Sequence, residues 1–178
     1  MLEAAGIAVE AVSPGIDEGS LKDGGDARET ALRLAEAKAL AVSERRPGDW
    51  VIGSDSVVTV DGRTFDKPRN RQDAADHLRL FSGNTMVLTS AVALAQGNRV
   101  DWSDADEAKL QVRQLGEAFI DSYLDAEWPD VGYCVGVFRM EGRGVHLFES
   151  IDGGHFTILG MPLLQLLAAL RERGLGAI

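Results

Sequence analysis

The chain is poor in residues that mark several large classes of protein. It has one cysteine, Cys134, so no internal disulfide can form, and a reducing compartment agrees with that count. No apolar run is long enough to span a membrane. The first residues, MLEAAGIAVE, lack both the basic region and the long apolar segment of a secretion signal. We therefore expect a cytoplasmic protein with no membrane association.

Basic residues are also scarce. The chain carries 18 Lys and Arg against 28 Asp and Glu, which gives a formal net charge of -10. Nucleic-acid polymers are bound through clustered Lys and Arg, so we exclude them as the main partner. A small nucleotide stays compatible with this charge, because a pocket can hold a divalent cation between its own carboxylates and the phosphates.

Several catalytic motifs are missing. The three histidines have no zinc-ligand spacing among themselves or with Cys134. The Walker pattern, the dinucleotide-binding fingerprint and the G-x-S-x-G turn are all absent. Nucleophilic catalysis therefore lacks support in the sequence, and the acidic residues together with lysines favour metal-assisted attack by water.

The residue patterns predict an α/β fold in one domain covering residues 1–178, with a mixed twisted sheet flanked by helices. Hairpins are signalled by Asp61–Gly62 and by the turn at 96–98. We predict helices over 26–50, 69–83, 116–128 and 160–174. We predict strands over 7–12, in two hairpins over 51–65 and 85–103, over 107–115, and within 142–154, and a Gly-rich acidic loop over 15–26.

One acidic residue follows an apolar strand start in VIGSDSVV. Gly53 would let a ligand or another backbone approach closely, and Asp55 would lie at a strand end, where α/β folds place their ligands. A lone aspartate in this position more often just ends the strand with a hydrogen bond.

Two further groups could contribute chemistry. The adjacent carboxylates Asp17 and Glu18 could hold a hard cation such as Mg²⁺ or Mn²⁺, although an acidic loop is usually only solvated. Lys38 lies on the apolar side of its helix, and Lys67 precedes Pro68. Each lysine could extend its ammonium to solvent or bind phosphate oxygens in an acidic pocket, and the sequence leaves both options open.

The order of the motifs is more specific than any one of them. From about Met1 to Gly174 the chain resembles the Maf family of nucleoside triphosphate pyrophosphatases. The resemblance implies a mixed α/β fold with a nucleotide-binding cleft. The motifs that carry it are GIDE, LRLAEAKA, VIGSDSVV, FDKPRN, LRLFSGN, LTSAVAL, MEGRG and ILGMPL.

The resemblance also implies an activity and assigns residues to it. The reaction would be hydrolysis of a nucleoside triphosphate to the monophosphate and pyrophosphate with Mg²⁺ or Mn²⁺. Asp55 matches the family's catalytic acid, which accepts a proton from the attacking water, and would also bind metal together with Asp17 and Glu18. Lys38 and Lys67 match two catalytic lysines. Asp55 and Lys67 would reach one site from the same hairpin, and homodimers are usual for the family.

Two positions match those that separate the family's subgroups. Ser56 is hydroxylic, like the threonine of the dTTP/UTP type, whereas Glu141 matches the glutamate of the 7-methyl-GTP type. A carboxylate can accept hydrogen bonds from the edge of a guanine, while glutamine both donates and accepts. The two markers disagree, so the preferred base stays open.

The chain also departs from the family pattern. Asp66 replaces the glycine of the family's G-K-P turn, and the family's first strand with its S-x-S-x-R-R segment has no counterpart before MLEAAGI. We expect an exposed sheet edge there and weaker triphosphate binding. The alternative function is therefore a catalytically impaired Maf-like protein that binds partners in the control of septum formation and cell division.

Overall fold

A computed structural model describes residues 1–22 and 25–176 of the chain. The loop predicted over 15–26 includes residues 23 and 24, which lie outside the described residues. The α-helices are α1 (Ala27–Arg45), α2 (Arg71–Phe81), α3 (Glu117–Glu127), α4 (His155–Ile158) and α5 (Leu163–Glu172). Short 3₁₀ turns cover Glu3–Ala5, Gly19–Leu21, Asp130–Tyr133 and Arg143–Leu147.

The two best-signalled helices begin where their capping residues predict. Asp26 accepts a hydrogen bond from the backbone N–H of Glu29 at 2.7 Å, which satisfies one of the free donors at the start of α1. Asn70 does the same for the N–H of Asp73 at 2.9 Å at the start of α2. Gly83, with φ of 76°, follows the end of α2, as its position in the sequence predicts.

Five strands form one sheet in the order β2-β1-β3-β4-β5. The strands are β1 (Val51–Val60), β2 (Arg63–Phe65), β3 (Thr85–Gln96), β4 (Arg99–Val112) and β5 (Phe148–Asp152). The pairs β1–β2 and β4–β5 are antiparallel. Helices and hairpins around one sheet confirm the predicted mixed α/β class.

Both predicted hairpin turns are present. Asp61 and Gly62 have φ of 50° and 72°, and Gly97 and Asn98 have φ of 57° and 59°. Two successive residues with positive φ are the mark of the tight turn that matches the twist of a hairpin. The first hairpin therefore joins β1 to β2, and the second joins β3 to β4.

One predicted strand is absent, and two others are one continuous strand. Residues 7–12, IAVEAV, lie in a segment without assigned helix or strand, because no neighbouring strand pairs with them among the described residues. The segments 99–103 and 107–115 were predicted as separate strands, but β4 is continuous from Arg99 to Val112. Acidic residues at the centre of β4, including Asp104 and Asp106, interrupt the strand pattern of the sequence, so the two halves were predicted as separate strands.

The chain divides into two compact units, each assembled from separate segments. The first unit contains 1–56, 90–106 and 160–178, and the second contains 57–89 and 107–159. In the first unit, the fully buried residues Ala31, Leu34 and Ala35 of α1 share one face. The second unit has its own apolar core around Leu78, Phe81, Leu110, Ile120 and Leu124. The single domain over 1–178 stays a prediction.

No helix in the described ranges has both the length and the apolar character needed to cross a membrane.

Candidate active site

Gly53 lets β1 lie directly against α1 within the first unit. A Cβ atom at this position would lie 2.2 Å from the Ala35 carbonyl oxygen and 2.7 Å from the Ala39 nitrogen. Only glycine fits so close to backbone atoms. Side chains two residues apart in a strand point to the same face, so Asp55 faces α1 as well. The close approach suggested by the sequence is therefore that of another backbone.

Lys38 lies between two carboxylates. Its Nζ atom is 2.5 Å from Oδ1 of Asp55 and 2.8 Å from Oε1 of Glu18. The exposed fractions of the side chains are 12% for Asp55, 18% for Lys38 and 37% for Glu18, so the pair closest together is also the most buried. The structure thus resolves the choice left open by the sequence: Lys38 points into an acidic site instead of extending to solvent.

At both Asp55 and Lys38, burial and ion pairing shift the pKa of the side chain in opposite directions. Burial raises the pKa of Asp55, and the hydrogen bond from Lys38 only partly offsets it, while Glu18 adds a smaller increase. Burial lowers the pKa of Lys38, but hydrogen bonds to Asp55 and Glu18 outweigh it and leave that pKa above its usual value. Lys38 therefore stays charged, and Asp55 holds a proton more readily than an exposed aspartate. A carboxyl shifted in this direction suits acid–base chemistry.

Asp17 and Glu18 have different hydrogen-bond partners. Oδ1 of Asp17 accepts a hydrogen bond from the backbone N–H of Gly19 at 3.0 Å, whereas the Glu18 carboxylate contacts Lys38. Within residues 1–22 and 25–176, no group of three or more His, Cys, Asp or Glu side chains is arranged to hold a metal ion. Glu18 and Asp55 together are two hard oxygen donors, which suit Mg²⁺ when substrate phosphates complete its ligands.

Ser56 points to the opposite face of β1 from Asp55, since neighbouring strand residues alternate. Its Oγ atom is 2.8 Å from Oγ of Ser90, which is fully buried, and 3.5 Å from the carbonyl oxygen of Gly160. Sequence reasoning missed the Ser90 contact, because no local pattern links residues 34 positions apart. The only signal in the sequence was a second hydroxyl side chain near the middle of another predicted strand.

Lys67 and Glu141 both belong to the second unit and are exposed. Burial has the largest effect on the Cys134 thiol and raises its pKa. Among nearby charges, Arg139 and, more weakly, Lys67 lower that pKa, while Glu141 raises it. The structure thus brings Lys67 and Glu141 to the surroundings of one thiol, which the sequence had given no role. A site shared by Lys67 and Asp55 stays a prediction.

Fold and centre together define a mixed α/β protein with a largely buried lysine between two carboxylates. The family model described as Maf-like protein matches residues 1–173, and the chain belongs to this family. The resemblance drawn from the motif order is therefore confirmed.

Several curated relatives align along nearly the whole chain. A nucleoside triphosphate pyrophosphatase of Nitrobacter winogradskyi is 43% identical, over 98% of this chain and 88% of the relative. Nucleoside triphosphate pyrophosphatase 1 of Jannaschia sp. is 40% identical, over 99% of this chain and 92% of the relative. A 7-methyl-GTP pyrophosphatase of Rhizobium meliloti is 42% identical, over 98% of this chain and 89% of the relative.

Proposed function

We propose that the chain is a nucleoside triphosphate pyrophosphatase, a hydrolase that splits a nucleoside triphosphate into the monophosphate and pyrophosphate. The observation that carries the proposal is the Asp55–Lys38–Glu18 centre, formed by residues that match the family's catalytic motifs. The names of the relatives from Nitrobacter winogradskyi and Rhizobium meliloti support the same reaction class. The substrate would be a small nucleotide. An acidic chain can bind one, because a divalent cation can lie between its carboxylates and the phosphates.

Asp55 would act as the general base. Its carboxylate would accept a proton from the water that attacks phosphorus, and the bond between the α-phosphorus and its bridging oxygen would break, releasing pyrophosphate. General-base catalysis of this kind typically contributes about 10² to 10⁴-fold in rate. A raised pKa suits the task, because a base with a pKa nearer the working pH takes up the proton more readily.

Lys38 would have two roles in that reaction. Its ammonium holds Asp55 in place before the substrate arrives, at an Nζ–Oδ1 distance of 2.5 Å. It also supplies a positive charge that would offset the negative charge on the phosphate oxygens in the transition state. Lys67, which is exposed, would add a second positive charge on the phosphates.

A divalent cation, Mg²⁺ or Mn²⁺, would be held by Glu18 and Asp55, with Asp17 contributing through the carboxylate oxygen that does not bond Gly19. The bound ion would polarise a phosphoryl oxygen and lower the pKa of bound water. The donor set is of the right kind, because Mg²⁺ in nucleotide enzymes is usually held by one or two carboxylates plus substrate phosphates.

The base preference is the finer part of the proposal. We propose Ser56 and Glu141 as the residues that tune it. Relatives named for nucleoside triphosphates and for 7-methyl-GTP are 43% and 42% identical to this chain, so overall similarity favours neither substrate. The partly buried hydroxyl of Ser56, which bonds Ser90, and the exposed carboxylate of Glu141 present different chemistry to a base.

The proposal is tested by pyrophosphate release from a panel of nucleoside triphosphates. The panel contains dTTP, UTP, 7-methyl-GTP and GTP, each with Mg²⁺, with Mn²⁺ and with a chelator. We expect equal amounts of monophosphate and pyrophosphate, dependent on the metal. Release of inorganic phosphate instead of pyrophosphate would assign a different bond, and no release from any substrate would favour the alternative of a binding protein.

A further inference from the structure

Val137 is held in a backbone conformation that its side chain disfavours. Its φ is 56°, in the left-handed region, where a β-branched residue is a genuine outlier, and the residue is fully buried. Such conformations persist only where the surrounding structure holds them in place, and they concentrate at functional sites. The segment that follows Val137 carries Glu141, which is proposed to tune the base preference. The contacts that hold this segment therefore bear on specificity.

Glu141 lies in a tight turn. The backbone N–H of Gly142 donates to the carbonyl oxygen of Arg139 at 3.2 Å. That bond closes a four-residue turn with Met140 and Glu141 at its centre. Gly144 packs on the same arginine, since a Cβ atom there would lie 2.7 Å from the Arg139 nitrogen. The turn is thus tied to the backbone of Arg139, while the side chain of Glu141 is exposed.

One buried carboxylate, that of Glu127, contacts both ends of this turn. Its side chain is 7% exposed, and its Oε2 atom lies 3.1 Å from Nη2 of Arg139. Asp130 lies 2.9 Å from Nη1 of the same guanidinium. At the other end of the turn, a Cβ atom on Gly142 would lie 3.3 Å from Oε2 of Glu127. Burying a carboxylate is costly, and a buried ion pair contributes little net stability. The Glu127–Arg139 pair is therefore better explained by the geometry that it fixes.

Tyr123 holds the same segment from one helical turn earlier in α3. Its hydroxyl donates to the carbonyl oxygen of Val137 at 2.9 Å, and both residues are buried. Residues four positions apart share a face of a helix, so Tyr123 and Glu127 both face this segment. Two polar side chains of one helix therefore anchor the strained residue and the turn, all within the second unit.

We propose that Tyr123 and Glu127 are positioning residues, which fix the turn over 139–142 and so present the Glu141 carboxylate to the nucleotide base in one orientation. Both act through Glu141 and not on the substrate itself. A carboxylate only accepts hydrogen bonds, so a fixed one selects a base edge with adjacent donors, as guanine has in its ring N–H and exocyclic amine. The inference rests on the proposed function, whose nucleotide it takes as the ligand.

The test compares GTP with ITP, which differs from it only in lacking the exocyclic amine of the base. Each is used with Mg²⁺ as an analogue with a methylene group between the α- and β-phosphorus, so that binding is measured without hydrolysis. A site built to bond an N–H group discriminates against a ligand that lacks it, because the acceptor is left unpaired. We expect the unmodified chain to bind the guanosine analogue at least about tenfold more tightly than the inosine analogue.

Tyr123→Phe and Glu127→Gln should each lower this ratio of affinities by about fivefold or more, because the carboxylate at the turn is no longer held in one orientation. Tyr133→Phe is the control for the first, since it removes a hydroxyl from a tyrosine that is 76% exposed. Glu117→Gln is the control for the second, since it removes an ion pair with Arg79 from the same helix. Both controls should keep the ratio of the unmodified chain. A merely structural defect would weaken both analogues alike and leave the ratio unchanged.

A double variant separates positioning from a direct contact. Glu141→Ala should abolish the preference, and Glu127→Gln added to it should change the ratio no further, because the second residue acts only through the first. Equal affinity of the unmodified chain for both analogues would overturn the inference. So would an unchanged ratio in either Tyr123→Phe or Glu127→Gln, or a further change in the double variant. Absence of pyrophosphate release from every nucleotide, with the ratio still lowered in both single variants, would refute the proposed function and leave this inference standing.

Discussion

Asp55 and Asp73 each pair with a cation, but their surroundings shift their pKa values in opposite directions. Asp73, at the start of α2, accepts hydrogen bonds from the side chain and backbone N–H of the exposed Arg69, which lower its pKa to about 2. Asp55 pairs with Lys38 at a shorter distance, yet burial raises its pKa. A close cation therefore does not by itself make a carboxyl a stronger acid. The side chains of Asp73 and Asp55 are similarly covered, at 18% and 12% exposed, but Arg69 is 85% exposed and adds a backbone hydrogen bond, whereas Lys38 is only 18% exposed.

The difference separates a structural pair from a chemical one. The Arg69–Asp73 pair joins an exposed arginine to the start of a helix, where a charged aspartate is favoured. The Lys38–Asp55 pair keeps charges in a place where desolvation opposes them, and such pairs contribute little net stability. Perturbed carboxyls of the second kind concentrate at functional sites. The following predictions test this contrast, from the largest expected effect to the smallest.

Lys38→Met should have the largest effect. It removes the charge that holds Asp55 and offsets phosphate charge, so we expect kcat/KM for pyrophosphate release to fall about 10²-fold or more. Without Lys38, burial and the neighbouring Glu18 should raise the pKa of Asp55 further. The base is active only when deprotonated, so the acidic limb of the pH profile should move to higher pH.

The stability of the Lys38→Met variant gives a second readout. Its uncompensated Asp55 charge should be relieved by protonation, so the variant should gain stability relative to the unmodified chain as pH falls from 8 to about 5. An unchanged acidic limb together with unchanged relative stability would show that Lys38 does not control Asp55.

Gly53→Ala should have an intermediate effect. The added methyl group would meet backbone atoms of Ala35 and Ala39, which cannot rotate away as a side chain could. We expect a loss of about 1–3 kcal/mol in the free energy of unfolding, and lower activity because Asp55 moves relative to Lys38. Gly48→Ala is the matched control, since nothing lies within 4 Å of its added Cβ. Equal stability of the two variants in urea unfolding would refute the close contact.

Asp73→Asn should have the smallest effect, and one confined to stability. The folded pKa of Asp73 is about 2 against an ordinary value of 3.8. The contribution of its charge to the free energy of unfolding is therefore present above pH 3.8 and is lost as pH falls toward 2. The unmodified chain should therefore be more stable than the variant near neutral pH, with the difference vanishing near pH 2. A difference in unfolding free energy that stays constant with pH would contradict this account, as would an altered kcat.

Local signals predicted the elements whose ends are fixed by short-range bonds. The Asp26–Glu29 cap, the Asn70 cap and the Asp61–Gly62 turn each depend on residues within three positions of one another. Residues 7–12 show the limit of such reasoning. Their composition is that of a strand, but a strand also needs a partner, which composition cannot supply.

The site was predicted in part. The motif order indicated Asp55, Lys38, Lys67, Asp17 and Glu18 as its members. The structure places the charged atoms of Asp55, Lys38 and Glu18 together. The sequence could not decide where Lys38 points, because the contact joins residues 17 positions apart through the packing of Gly53 on α1. It also could not separate Asp17 from Glu18, since adjacent residues in a tight turn face different neighbours.

The central claim, that Asp55 is the base in a centre organised by Lys38, is tested most directly by the rate of pyrophosphate release from Asp55→Asn. Asp61→Asn is the control, because it makes the same chemical change at a hairpin turn that accepts Asn and Asp equally. We predict that kcat falls about 10² to 10⁴-fold in Asp55→Asn and is unchanged in Asp61→Asn. A kcat for Asp55→Asn equal to that of Asp61→Asn would contradict the account.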